Sequence, residues 1–432
     1  MSTLGSPPTA TPDQAIGRSD WRVLLAIFWI TSMVEGLGVS QVFAFVPSYL
    51  SEMGVAEADR LTFVGLFGSL IFVVGAPFVP LWGVWADKYS RKAVIVRSAL
   101  VEAVVFAAVA LSREPWQLAG SILLIGLQLG NTGVMLAGIR DAVPRKRLGM
   151  AMATFGASGP IGFAVGPWLG GYLIDGLGWS LSGMFWASCG LSLATAATVW
   201  FLSREVRPEV IPVGRVLDLA YGAVRGVLAD PAVRRIFAIY GVAFLANQMS
   251  RPYQPIIVEE LVGKGPGLAS AIGFVVGTAA LVGAVTSPLG GLLGDRFGFR
   301  PVLVGALAGG GVTLLAVTVA PGVGSLALAT FAFTAFNGTV GAMVFSMLAT
   351  EVPAERRSAT LNLVYLPLYA AGVIGPTAGA AVASVAGSDG PFWLGAAVFF
   401  AGAIVVAVRV RPRRAGVSVD IAPVSAGSGP DS

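Results

Sequence analysis

Two carboxylates in the 432-residue chain stand where a carboxylate is costly. Glu35 lies inside an apolar run at 22–49, and Glu102 inside another at 93–111. A lone charge at the middle of a bilayer costs at least about 2.5 kcal/mol, so an acid there is a functional candidate by default. A carboxyl in apolar surroundings favours its protonated form until water or a cation arrives, and a proton carrier needs that behaviour. The chain has no histidine, so an imidazole switch is excluded and any proton chemistry must run on carboxylates. Thr31 and Ser32 share a face with Glu35, and Gly36 and Gly38 leave it room. The alternative for either acid is a protonated structural side chain hydrogen-bonded to a neighbouring helix. Cys189, the only cysteine, excludes an intramolecular disulfide and a thiolate metal cluster. There is no G-x-x-x-x-G-K-[ST] loop and no nucleophile–base motif, so neither an ATP-driven pump nor an enzyme is read, and no cofactor or metal is expected.

The elements that must position these acids are membrane spans. Hydrophobic residues make up 55% of the chain and charged ones 12%, about half the charged share of a soluble domain. A spanning helix needs about 20 mostly apolar residues. Twelve segments qualify: spans 1 to 12 at 22–49, 61–81, 93–111, 116–139, 150–175, 180–202, 235–258, 269–293, 301–320, 324–349, 359–386 and 391–409. The first run is too long for a signal-peptide core and is kept as a span. Residues 1–20 read as a polar N-terminal tail, 21–202 as one six-helix half and 203–234 as an arginine-rich linker. Residues 235–410 form a second half, and 411–432 a disordered tail. The fold class is an all-α membrane bundle.

Basic residues mark the cytoplasmic side. With the N-terminus inside, that side holds Arg18, Arg22, the 88–97 group, Arg140 and the 145–147 group. It also holds the five linker arginines, Arg235, Arg296, Arg300, Arg356, Arg357 and the four arginines from Arg409 onward, 24 of the chain's 28 bases. Arg60, Arg113, Arg251 and Lys264 fall outside or in the outer half. Both termini are therefore expected in the cytoplasm, and the host is the cell membrane. The bases are spread over short loops, so the net charge of +5 does not describe a nucleic-acid surface.

The halves repeat. Pro47 recurs as Pro255 and Asp87 as Asp295, while Val143-Pro144 recurs as Val352-Pro353 and Gly166-Pro167 as Gly375-Pro376. The loop Gly83-Val-Trp-Ala-Asp87-Lys88-Tyr-Ser-Arg91-Lys92 resembles the G-x-x-x-D-R/K-x-G-R-K signature of the major facilitator superfamily, with Ser90 in place of the usual glycine. Gly291-Leu-Leu-Gly-Asp295-Arg296-Phe-Gly298-Phe-Arg300 is its second copy. The resemblance implies two parallel six-helix halves about a midplane site. It further implies a conformational lock, in which Asp87 sits against the N-terminal end of span 11 and Arg91 pairs with Asp141. The bland reading of the loop is a solvated charged turn.

Span 5 carries Gly162-x-x-x-Gly166-Pro167-x-x-Gly170-Gly171, which resembles the antiporter motif of the drug-efflux branch and implies export. Glycines four apart let a neighbouring backbone approach, and the proline breaks the ladder, so the string suits a hinge; plain tight packing is the alternative. In the resembled fold spans 1, 4, 7 and 10 line the central cavity. Besides Thr31, candidates for its wall are Gln128, Asn131 and Met135, then Phe244, Asn247, Gln248 and Arg251, then Asn337, and Tyr365 and Tyr369 of span 11. Glu35 is read as the proton site, with Glu102 behind it. One family feature is missing. Drug-efflux members carry an arginine in span 4 three residues before a glycine; with Gly130 as that glycine, the place is held by Gly126.

The reading is a proton-driven exporter of small amphipathic compounds that works by alternating access as a monomer. Its partners are a small-molecule substrate, protons and the lipid bilayer. An uptake symporter or uniporter for a metabolite is the first alternative, and a transport-dead scaffold or receptor the second.

Overall fold

A computed structural model describes residues 21–208, 210–351 and 366–409. The two tails, Val352-Pro353, Arg356, Arg357 and Tyr365 lie outside the described residues.

The chain is a twelve-helix bundle. Eleven helices among the described residues are long and apolar enough to cross a membrane. Span 1 is Trp21–Glu52, span 2 Glu57–Lys88, span 3 Arg91–Leu111 and span 4 Pro115–Ala142. Span 5 is Arg145–Gly176, span 6 Leu181–Leu202, span 8 Leu268–Phe297 and span 9 Phe299–Thr318. Span 10 is Val323–Glu351, span 11 is described over Leu366–Ala386, and span 12 is Gly390–Arg409. Span 7 runs from Pro231 to Val262 in two pieces. An amphipathic linker helix, Val216–Leu228, lies between the halves and reaches span 2, where the Tyr221 hydroxyl donates to Pro77 O at 2.9 Å.

Local chemistry sets the ends. Span 2 opens with Glu57 and Asp59 and closes with Lys88, each charge opposing the helix dipole at its end. Ser90 caps span 3 by accepting from Ala93 N, and Ser180 caps span 6 by accepting from Gly183 N. Several helices outrun the apolar runs that mark them. Span 2 continues to Lys88 and span 5 begins at Arg145, because their last turns stand clear of the hydrocarbon and tolerate charge.

Spans 4 and 7, read as continuous from the sequence, are both broken. Span 4 tightens to a 3-10 turn at Gly126–Gln128 and then turns at Gly130, φ +101°, before Asn131–Ala142 resumes. Span 7 breaks at Arg251–Tyr253, between Ser250 and Gln254, with Pro252 and Pro255 removing two ladder donors. Irregular backbone at membrane depth is tolerated where it is buried in protein or lines a cavity.

The outer surface is apolar: Leu100, Val104, Trp200, Val285, Leu292, Val312, Leu328 and Val405 are all exposed. In water such a surface would aggregate; in lipid it is the solvated face. Inside, one large buried cluster runs through both halves, and a smaller one (Leu24, Phe28, Val94, Ile95, Ile139 and Phe155 among its members) sits towards the linker.

Among the described residues, polar contacts between the halves gather at the end remote from the linker. Arg60, 1% exposed, meets Glu259 at 2.9 Å. The Tyr253 hydroxyl donates to Leu61 O at 3.0 Å, and Ser270 N donates to Asp175 at 2.6 Å. The bundle is shut at that end.

Candidate functional site at the break in span 4

The break in span 4 creates the site. Gly130 adopts a left-handed backbone that a side chain would strain. The Gln128 carbonyl points out of the ladder and accepts from Ser98 Oγ at 2.7 Å and Arg97 Nη2 at 3.5 Å. The turn brings Gln128 and Asn131 to Glu35 of span 1. Gln128 Nε2 donates to Glu35 Oε1 at 3.2 Å, and the Asn131 side chain lies beside the same carboxyl. Glu35 stays partly exposed, whereas both amides are buried. It is thus an acid held by neutral groups on a cavity wall.

Glu102 sits deeper, 3% exposed, within coulombic reach of Glu35. Ser192 Oγ of span 6 donates to its Oε2 at 3.1 Å, while Oε1 has no hydrogen-bond partner. A Cβ on Gly38 would lie 3.2 Å from that free oxygen, so glycine there lets the acid lean against span 1.

By sequence Arg97 counts among the bases of the cytoplasmic side, at the start of the apolar run 93–111. The structure turns it inward from the second turn of span 3, with its guanidinium 3.7 Å from the Trp82 ring and within coulombic reach of Glu35. A long side chain near a helix end can reach the interior as readily as the interface, and the charge pattern does not distinguish the two.

The remaining wall candidates divide. Phe244, Asn247, Arg251, Asn337 and Tyr369 are partly exposed along the inside of the bundle. Arg251, in the break of span 7, lies 4.1 Å from the Phe43 ring and 5.0 Å from that of Phe163, so it crosses from one half to the other. Beside it runs an apolar crevice lined by Phe43, Val46, Phe67, Ile71, Ile122 and Pro252 among others. Thr31 and Met135 are not brought to the wall. Thr31 is buried with its hydroxyl spent on Ile27 O, and Met135 is fully buried in the smaller core cluster. Gln248 is buried against span 11 at Gly375.

At the signature loop Arg91, 2% exposed, binds Asp87 at 2.8 Å and Asp141 at 2.7 Å. The start of span 11, against which Asp87 is expected to sit, lies outside the described residues; Gly83 is partly exposed. Sequence reasoning missed Glu205: its carboxylate accepts from Ser90 Oγ and from the backbone of Arg91 at 2.9 Å. That contact fits the serine at the family's glycine position. In the second copy Asp295 and Arg296 are exposed.

The glycine string of span 5 has two faces. A Cβ on Gly162 would lie 2.1 Å from Met33 O, one on Gly166 2.3 Å from Leu37 O, and one on Gly170 2.3 Å from Phe45. Span 1 therefore packs backbone to backbone along it. On the other face Gly171 abuts Ala269 O at 2.7 Å, and Gly273 and Gly277 of span 8 abut Pro167 O and Ala164 O at 2.5 and 2.6 Å. Gly273-x-x-x-Gly277 was visible as a spacing and overlooked. The string thus stands where spans 1, 5 and 8, and so the two halves, cross.

Against known proteins, the family model of the major facilitator superfamily matches residues 28–261 and 236–427. The chain belongs to that superfamily. It is therefore a multi-pass membrane transporter and not an enzyme. It is 28% identical to the multidrug resistance protein MdtG of Citrobacter koseri over 91% of this chain and 97% of the relative. It is 27% identical to MdtG of a Rahnella species over 96% and 99%. The same superfamily fold appears in a bacterial homologue of the human lysosomal transporter Spinster in an inward-facing, occupied conformation. That match has a TM-score of 0.73 at 13% identity, covering 91% of this chain and 96% of that one. The nucleoside transporter NupG follows with a TM-score of 0.71 at 15% identity, covering 90% and 100%.

Proposed function

We propose that the protein exports drug-like amphipathic compounds in exchange for protons, by alternating access between its two halves. The observation that carries the reading is Glu35: a partly exposed carboxyl inside the bundle, held by Gln128 of broken span 4 with Asn131 beside it. The drug-resistance names of the full-length relatives support the substrate class. The distribution of bases puts the linker end and both termini in the cytoplasm. The bundle, shut at Arg60–Glu259, is then closed to the outside, and substrate enters from the cytoplasm. It lies along the apolar crevice and the aromatic residues near Arg251. Binding of substrate or proton shifts the populations of the two states through differential affinity, and a single chain supplies the whole route.

In this reading Asp87, Arg91 and Asp141 form the cytoplasmic lock, helped by Asp295 and Arg296 in the second copy. Gly162, Gly166, Pro167, Gly170 and Gly171 form the surface on which the halves slide. Glu102 is the second acid of the proton path.

Accumulation of several lipophilic dyes in cells lacking their own pumps tests the reading, with wild type and Glu35→Gln compared with and without a protonophore. Lower accumulation with wild type alone, erased by the protonophore, is the expected result. Pumping by Glu35→Gln equal to wild type makes the acid structural and removes the central assignment.

A further inference from the structure

The arginine that the resembled family places in span 4 has no room here. A Cβ on Gly126 would lie 2.5 Å from Ile71 O and 2.7 Å from Gly75 N, backbone atoms of span 2 that cannot swing aside. An arginine at 126 would have to push spans 2 and 4 apart. Resting on the proton-exchange reading above, we infer that Arg97, from span 3, is the positive partner that lets Glu35 give up its proton.

Three observations carry this. First, Arg97 is held in place by groups that leave its charge uncompensated: the Trp82 face at 3.7 Å and the neutral Gln128 carbonyl at 3.5 Å. Second, its Nε and Nη1 are buried and have no hydrogen-bond partner, as do Gln128 Oε1 and Asn131 Oδ1 around the same carboxyl. Buried polar groups are nearly always satisfied, so a cluster of orphans points to a group or water that occupies the site for part of a cycle. Third, the surroundings hold few other charges. Spans 1, 2, 4, 5 and 6 carry no further Asp, Glu, Lys or Arg away from their ends, and span 3 adds only Glu102. Arg251 of span 7 is committed to Phe43 and Phe163.

The step is a simple one. When substrate enters, the O–H bond of the Glu35 carboxyl breaks and the proton passes to water on the cytoplasmic side. The carboxylate left behind faces the Arg97 guanidinium, whose own protons stay in place. Reprotonation from the outside reverses the sequence and frees the guanidinium again. Arg97 is thus a positioning residue that acts through Glu35. The unwound turn of span 4 serves both groups, offering a carbonyl to Arg97 and an amide to Glu35.

The test uses the purified full chain in weakly buffered detergent with a pH indicator and ethidium as the probe substrate. Proton release on ethidium binding is recorded as a function of pH. Wild type is expected to release protons and Glu35→Gln none. Arg97→Gln should release them along a curve displaced to higher pH by about one unit or more, the effect of removing an opposite charge at close range. Arg97→Lys, which keeps the charge but loses the stack on Trp82, should follow wild type. An Arg97→Gln curve superimposable on wild type overturns the inference, as does an Arg97→Lys curve displaced to higher pH. The lysine variant decides alone if Arg97→Gln does not fold. Ethidium binding by wild type without any proton release sinks instead the proton-exchange reading on which the inference rests.

Discussion

The two halves of this bundle are built alike and equipped differently. In the first, Gly166 of span 5 presses on Leu37 O of span 1; in the second, Gly375 of span 11 presses on Leu245 O of span 7. Both pairs are the same crossing, repeated 208 to 209 residues later. The charges do not repeat. Glu35, Arg97 and Glu102 all belong to the first half, whereas the spans of the second offer only Arg251 among the described residues away from their ends. The signature loops diverge too. Where Arg91 ties Asp87 to Asp141, the second copy has Phe299, and Asp295 and Arg296 stand exposed. Even the turn differs: Ser90 is extended at φ −162° and ties to Glu205, whereas Gly298 turns at φ +86°. In the proposed cycle, backbone crossings are constrained by a rocking that both halves share. Charges are then constrained only where protons are handled, and on this proposal one half suffices for that.

Substitutions at matched positions can break or sharpen this comparison. The largest effect is expected at the loops. Arg91→Ala removes the charge-assisted contacts to both Asp87 and Asp141, leaving Asp141 with Arg140 alone, and should cost about 3 kcal/mol, while Arg296→Ala leaves the unfolding midpoint in detergent unchanged. Equal losses would show the loops to be equivalent after all. Next come the crossings. Gly166→Ala would place a Cβ 2.3 Å from Leu37 O, against 3.0 Å from Leu245 O for Gly375→Ala. Overpacking of about 2 kcal/mol is expected for the first and clearly less for the second, read from midpoints and transport rates together. Third is the contact that joins the halves. Arg60→Gln leaves Glu259 buried without its 2.9 Å partner. Spin labels at positions 57 and 264, in a Cys189→Ser background, should report a roughly tenfold larger population open at that end, or about 1.4 kcal/mol. An unchanged distance distribution would mean that the pair does not hold the closure. The smallest effect is that of Ser90→Gly, about 0.5 kcal/mol for the lost cap and the lost tie to Glu205, seen as a slightly lower midpoint.

Much of this architecture could be read from residue types alone. Hydropathy located the spans, and the Pro47/Pro255 and Gly166/Gly375 pairs exposed the repeat. The acids at 35 and 102 stood out because apolar runs rarely contain them. What was not legible depends on partners far away in sequence. Gly130 could have been an ordinary helical glycine; nothing in its neighbours marks the left-handed turn it makes. Arg97 counted as one more cytoplasmic base because it lies close to the signature loop. Arg60 read only as a base outside or in the outer half, and its partner Glu259 comes 199 residues later. Met135 had the right spacing for the cavity, but a 3.6-residue period cannot say which of two apolar surroundings a side chain meets.

The central claim is that the first half carries the proton, through Glu35. Everted membrane vesicles acidified inside by respiration, with acridine orange as the pH probe, test it most directly. Adding ethidium should restore acridine orange fluorescence when wild type lets protons out in exchange, and should leave it quenched with Glu35→Gln. Equal recovery of fluorescence in both would contradict the claim and move the proton path elsewhere in the bundle.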